Sequence, residues 1–391
     1  MSLVGFLKAG SLIGISAMCL FSFLGTDARG EEWYVYFGTY SGEKSRGIYL
    51  SRFDTETGHL SQPQLAAELQ NPSFLAVHPK GRFLYAAGET DGFEGKKEGS
   101  VSAYAIDHKA GALKFLDSKG SGGTYPCHVS LDRKGKCLLV ANYGSGSLAA
   151  FGVDRLGKFI PSQSIVQHQG SSVDPQRQTG PHAHFITTDP DNRLALACDL
   201  GLDKVLVYRL KPGAPSLSPH RPYGVPLEPG VGPRHLVFHP SGQWVYVLNE
   251  MGSSVDTFGF DSKRGALSHE PQRQRTLPPA YKDQNSCAEI QVHPSGKFLY
   301  ASNRGHNSIA AFSVDPANGQ LTPIDYFPSG GKTPRHFTLD PSGKWLLAEN
   351  QDSDNVVVFQ VDEETGKLRS SGQVVSIGKP VCAVFVEAKR K

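Results

Sequence analysis

The chain has 391 residues, a formal charge of +3, and only 20% Asp, Glu, Lys and Arg. Balanced charge without a basic run gives no case for nucleic acid. Gly (43) and Pro (26) are abundant, as a chain with many turns requires.

Residues 1–30 stand apart. Lys8 lies in a short n-region, Ala9 to Leu24 is mostly apolar, and Ala28-Arg29-Gly30 places small residues at two cleavage positions. This is the pattern of a secretory signal peptide, so the protein is expected to be exported, to a periplasm or medium. Beyond this leader nothing is long and apolar enough to span a bilayer. Five cysteines remain (Cys127, Cys137, Cys198, Cys287 and Cys382), and none has C-x-x-C spacing. They are expected to be small buried residues rather than zinc or redox ligands.

From Glu31 onward the signals are β. Trp33 to Thr39 reads as the second strand of a blade that lacks its first, and Gly47 to Asp54 as its third. A recurring segment then begins with His78-Pro79-Lys80-Gly81 and returns around Gly135, Asn192, Gly242, Gly296 and Gly343, at spacings of 54, 57, 50, 54 and 47 residues. An apolar run precedes each such turn, and Pro and Gly supply the turn geometry. A second run follows, for example Trp244 to Leu248, then a polar turn, a third strand from Val255, and a fourth after Gly265-Ala266-Leu267. Four short strands per period of about 50 residues make one propeller blade. The last apolar run, Val381 to Val386, follows Lys379-Pro380 as the first strands do elsewhere. The expectation is an all-β, seven-bladed β-propeller over residues 31–391, closed by pairing the C-terminal strand with the N-terminal strands.

Register fixes where chemistry would sit. Eight residues before each turn come Ser73, Cys127, His184, Arg234, Ala288 and Arg335, with Val381 as the seventh. The next ring is Phe74, His128, Phe185, His235, Glu289, His336 and Cys382. Eight residues after each turn come Glu89, Tyr143, Leu200, Glu250, Arg304 and Gln351. This is more Arg, His and Glu than packed strand ends tolerate unpaired. Polar groups converging from several blades on one rim mark the candidate site. The turn residues His78, His239, His293, Asp132, Asp189 and Asp340 are expected to make structural hydrogen bonds instead. His182 and His184 share a strand face, but no third metal ligand stands at suitable spacing.

The run Gly230-Val231-Gly232-Pro233-Arg234-His235 with Leu248-Asn249-Glu250 resembles the lactonase propeller family, which holds bacterial 6-phosphogluconolactonases and fungal carboxymuconate cycloisomerases. Asn142-Tyr143-Gly144-Ser145, Ser302-Asn303-Arg304 and Thr333-Pro334-Arg335 resemble the same family. The resemblance implies a catalytic set of His184 (or His182), Arg234, Glu250 and Arg304. It implies substrate contacts from His182, His235, Arg335, Asn142, Tyr143 and Glu289, and no cofactor. It also implies a small lactone or carboxylate as substrate; the chain is expected to act as a monomer or weak dimer. Lactone opening needs a base, Glu250 or His184, and cations for the oxyanion. The same residues would serve a cycloisomerase, and an exported binding module is the non-enzymatic alternative.

Overall fold

The computed structural model describes residues 32–211 and 214–388; the expected signal peptide lies outside the described residues. Seven antiparallel sheets form a ring, and no α-helix occurs among the described residues. Blades 2 to 7 are continuous in sequence, at residues 72–120, 126–167, 183–226, 233–275, 286–328 and 334–376. Blade 1 is composite. Its inner strand is Pro380–Glu387, paired with Glu32–Thr39 in the order expected for closure. Val35 faces Phe385 and Tyr36 faces Val384, so the last blade leaves no open edge at the seam. Blade 5 departs from the plain four-strand pattern. Its outer segment is split into Ala266–Leu267 and Gln272–Arg275, both paired with Ser254–Asp261.

The core is divided rather than central. Seven apolar clusters fill the seven clefts between neighbouring blades. Second strands lie between two such clefts, and Phe83–Gly88 and Cys137–Asn142 are buried along their whole length. That explains why these segments read as unbroken apolar runs rather than alternating ones. All five described cysteines are buried and unpaired.

Polar staples repeat between blades. Tyr36, Tyr85, Tyr246 and Tyr300 each donate a hydroxyl to a turn carbonyl of the next blade: Gly111, Gly157, Gly319 and Gly366, at 2.7, 3.1, 3.0 and 2.9 Å. Trp345 Nε1 does the same across the seam, to Thr55 O at 2.9 Å. The turn residues between first and second strands add to the same face of the ring. His239 Nε2 meets Gly296 O and His293 Nε2 meets Gly343 O, both at 2.9 Å. Asp132, Asp189 and Asp340 instead accept backbone N–H groups of their own turns. Each staple is a buried hydrogen bond of modest net worth, but leaving its carbonyl unpaired costs more.

A first prediction follows from the staples. Tyr300→Phe strands the buried Gly366 carbonyl and is expected to lower unfolding stability by about 1–2 kcal/mol. Tyr246→Phe, one blade away, should add to it within a few tenths of a kcal/mol. Urea unfolding of both single variants and the double variant checks this.

Candidate functional site

One irregularity, repeated in every blade, builds the site. Each inner strand carries a register shift against its neighbour, and the displaced residues are Ser73, Cys127, His184, Arg234, Arg335 and Val381, with Ala288-Glu289 in blade 6. These are the positions aligned by counting back from the turns. A bulge inserts a residue and re-aims its side chain, here into the channel. Entry to the bulge is prepared locally. Asn71, Tyr125, Gly232, Thr333 and Lys379 all have positive φ, and each precedes the proline that starts its strand. Gly232 meets this need without strain; the other four are non-glycine residues held there by the fold.

Glu250 is the centre of the mouth. It follows the second strand of blade 5, Trp244–Asn249, and its backbone is fixed by Gly232 O at 2.7 Å and Cys287 N at 3.0 Å. Its carboxylate is nearly buried. Oε2 lies 3.1 Å from Arg234 Nε and 3.0 Å from Arg304 Nη2, and 4.0 Å from His184 Nε2. Oε1 accepts a 2.9 Å hydrogen bond from Arg177 Nη2. Arg304 Nη2 also donates to Cys287 O at 2.8 Å, and Arg234 Nη1 donates to Ala288 O. Even so, Arg234 Nε and Arg304 Nε are buried donors without an aligned acceptor. Such groups in a native fold call for an explanation.

The electrostatics are decided by this cluster. Burial pushes the Glu250 carboxyl up, but Arg304, Arg234 and Arg177 outweigh it and hold it well below the usual carboxylate range. Burial, with Arg304 and Arg335 as like charges, pushes Arg234 down to about 10, so it stays a cation at neutral pH. Burial, then Arg234, holds His184 well below its ordinary value, and its ring is neutral. Arg335 differs from the other guanidiniums. It lies over the Tyr40 ring at 5.4 Å and makes no hydrogen bond to any described residue. Tyr40 donates to Glu89 Oε2 at 2.9 Å. Arg335 and Arg234 border one chamber of about 10 Å³, together with Ser73, Glu89, Cys127 and His336.

Beneath the mouth the channel is closed. Phe74, His128 and Phe185 pack as tilted rings, with centroids 4.3 and 4.0 Å apart, and His235 packs on Phe185 at 5.0 Å. His235 takes a hydrogen bond from Arg234 Nη1 on Nε2, which leaves its proton on Nδ1, facing Glu289 Oε2 at 2.9 Å. His336 Nδ1 bonds Glu349 Oε2 at 2.8 Å. Burial raises both Glu289 and Glu349 and lowers His235 and His336. Burial thus disfavours the charged form of all four groups in this layer, and each is hydrogen-bonded or ion-paired to a neighbour.

The structure thus brings His184, Arg234, Glu250 and Arg304 together, with Arg335 beside them. Tyr143 is at the rim, stacked on His182 at 4.5 Å, and His182 Nδ1 bonds Tyr143 O at 2.9 Å. His235 and Glu289 sit one layer lower. Asn142 does not join the mouth: it is fully buried, and its amide ties Ser121 O and Ser147 Oγ, both at 3.2 Å. Arg177, which register did not single out, does join it. The signal was the longest turn spacing, 57 residues, which admits the loop at 168–182 above blades 3 and 4.

These features define a closed, seven-bladed ring with a guanidinium-lined mouth at one end of its channel. The family described as "Lactonase, 7-bladed beta-propeller" matches residues 34–385, and the chain belongs to it. It is 36% identical to the 6-phosphogluconolactonase of Bacillus subtilis strain 168, over 90% of this chain and 97% of that protein. It is also similar to a solved putative 6-phosphogluconolactonase of Bacteroides fragilis (34% identity, TM-score 0.84, covering 91% and 98%). A periplasmic gluconolactonase structure from Pseudomonas aeruginosa matches with 32% identity and TM-score 0.84, covering 92% and 100%.

A second prediction concerns the Glu250 cluster. Glu250→Gln leaves Arg234 and Arg304 facing each other in a buried site, at a cost of about 3 kcal/mol. The folded carboxyl titrates below its unfolded value, so this stability is present above the unfolded pKa and lost as pH falls. The melting-point gap between wild type and variant should be full above about pH 5 and narrow below about pH 4. Melting curves from pH 3 to 7 check it.

Proposed function

We propose that the protein hydrolyses a sugar lactone, with His184 as base and Arg234 and Arg335 as oxyanion holders. The observation that carries the reading is the chamber between those two guanidiniums, one of which has no hydrogen-bonded partner among the described residues. About 10 Å³ admits a single oxygen-sized group. Donors placed before the reaction stabilise the developing oxyanion without reorganising.

Glu250 is the wrong base. Both of its carboxylate oxygens are already engaged, Oε1 by Arg177 and Oε2 by Arg234 and Arg304, which leaves neither free to take a proton from water. Its place is to fix Arg234 and Arg304 and to stabilise the imidazolium that forms on His184, 4.0 Å away. In the proposed step, neutral His184 removes a proton from water as the water oxygen bonds to the lactone carbonyl carbon. The carbonyl electron pair moves onto its oxygen, between Arg234 and Arg335. Collapse breaks the ring C–O bond, and the ring oxygen takes the proton from His184. The open hydroxy acid leaves as a carboxylate after losing its own proton.

The names of the Bacillus and Pseudomonas relatives support a gluconolactone-type substrate, with and without phosphate. The charge of the mouth favours an anionic one, since Arg177, Arg234, Arg304 and Arg335 outnumber Glu250 and Glu89. Export through the leader at residues 1–30 belongs to the same proposal, tested by fractionating cells that express the full chain.

Activity on gluconolactone and 6-phosphogluconolactone tests the reaction. His184→Ala should lose about 10²–10⁴ in kcat, and Arg335→Ala about 10²–10³. The base must be unprotonated, so kcat/KM should fall on acidification at a pH below about 6.5, the ordinary histidine value. A folded His184→Ala variant with wild-type rate would sink the assignment, and turnover of a muconate without lactone hydrolysis would replace the reaction.

A further inference from the structure

Arg177 is the one guanidinium of the mouth that comes from a connecting loop rather than from a bulge or a strand end. Its Nη2 donates to Glu250 Oε1 at 2.9 Å and to Tyr143 Oη at 3.1 Å. Glu250 already has Arg234 and Arg304 on its other oxygen. A single carboxylate cannot neutralise three guanidiniums, so Arg177 is in surplus there.

The loop beneath it is firmly built. Gln178 is fully buried, donates to Leu200 O at 2.9 Å, and accepts from Asp174 N at 3.0 Å. Asp174 Oδ1 accepts the backbone N–H of Gln176 and of Arg177, both at 2.8 Å. Ser172 Oγ donates to Asp203 Oδ2 at 2.6 Å, and Asp203 also holds the amides of Gly230 and Gly232 at 2.7 Å. The backbone is thereby fixed from both flanks, while the Arg177 side chain is 41% exposed. Movement is open to the side chain and closed to the loop.

Position supplies the rest. Arg335 belongs to blade 7 and leans on Tyr40 of blade 1, whereas Arg177 stands between blades 3 and 4. The two face each other across the ring. A lactone whose carbonyl oxygen lies by Arg335 would carry its far substituent toward Arg177.

We propose that Arg177 is a transferable anion clamp, bound to Glu250 in the empty site and passed to a phosphate or carboxylate on the far side of the substrate. It is then the residue that selects charged lactones over neutral ones. A guanidinium suits this exchange, because its paired donors match carboxylate and phosphate oxygens alike. This inference rests on the lactonase reading for its substrate but not for its binding test.

The experiment compares wild type, Arg177→Ala and Arg177→Lys as full rings, each checked by thermal melting. The kinetic quantity is kcat/KM for 6-phosphogluconolactone divided by that for gluconolactone. We expect this ratio to fall at least about tenfold in Arg177→Ala, with Arg177→Lys between. A general loss of structure would lower both rates and leave the ratio unmoved. An unchanged ratio in a protein that turns over both lactones overturns the clamp while the lactonase reading stands. If neither lactone is turned over, the lactonase reading fails and calorimetric titration with 6-phosphogluconate and gluconate decides alone. Selective weakening of 6-phosphogluconate in Arg177→Ala supports the clamp, and equal affinity overturns it.

Discussion

The inner wall of the mouth depends on one backbone device, the bulge near the start of each inner strand. A regular inner strand would alternate its side chains between the two blade faces, and both faces are needed to fill the clefts. The bulge adds a residue that belongs to neither face and turns it into the channel. Because the bulge recurs at the same register, the fold offers seven inward positions at one level. Function then depends on which side chains occupy them. Here Ser73, Cys127, Ala288 and Val381 fill part of the ring, and His184, Arg234 and Arg335 arm the rest.

Two layers of opposite electrostatic character result. The upper layer is ionic, with guanidiniums gathered on Glu250. In the lower layer burial works against charge, with His235 and His336 bonded to Glu289 and Glu349, whose carboxyls burial raises. The lower layer gives the upper one a rigid, water-poor floor. It also orients Arg234, since the Nη1 that reaches Ala288 O also donates to His235 Nε2. Charges above such a floor interact more strongly than they would in water.

Most of this was legible in the sequence because it repeats. The turn period gave the blade count, and the Lys379-Pro380 step before Val381 gave the closure. Counting from the turns found the bulge residues, since a bulge at constant register preserves the count. What repetition does not encode was less visible. Arg177 sits in an insertion that other blades lack, so no register points to it. Asn142 shares a motif with strand ends that reach the mouth, but its amide is spent on Ser121 and Ser147. The Tyr-to-Gly staples join residues about 70 apart, and only the packed ring makes their partners known.

The composite blade also sets an order of events. Glu32–Thr39 is made first, yet its inner partner is Pro380–Glu387, so Trp33 must wait for Glu387. Blades 2 to 7 can each form from local chain as it emerges, but the seam cannot. Until the final strand arrives, the first one keeps an unpaired edge and the cleft between blades 7 and 1 stays open. Closure is therefore a late, long-range step, of the kind that folds slowly. A ring that locks only when its last strand is made stays unclosed for the whole of its synthesis, however many of its blades have already formed.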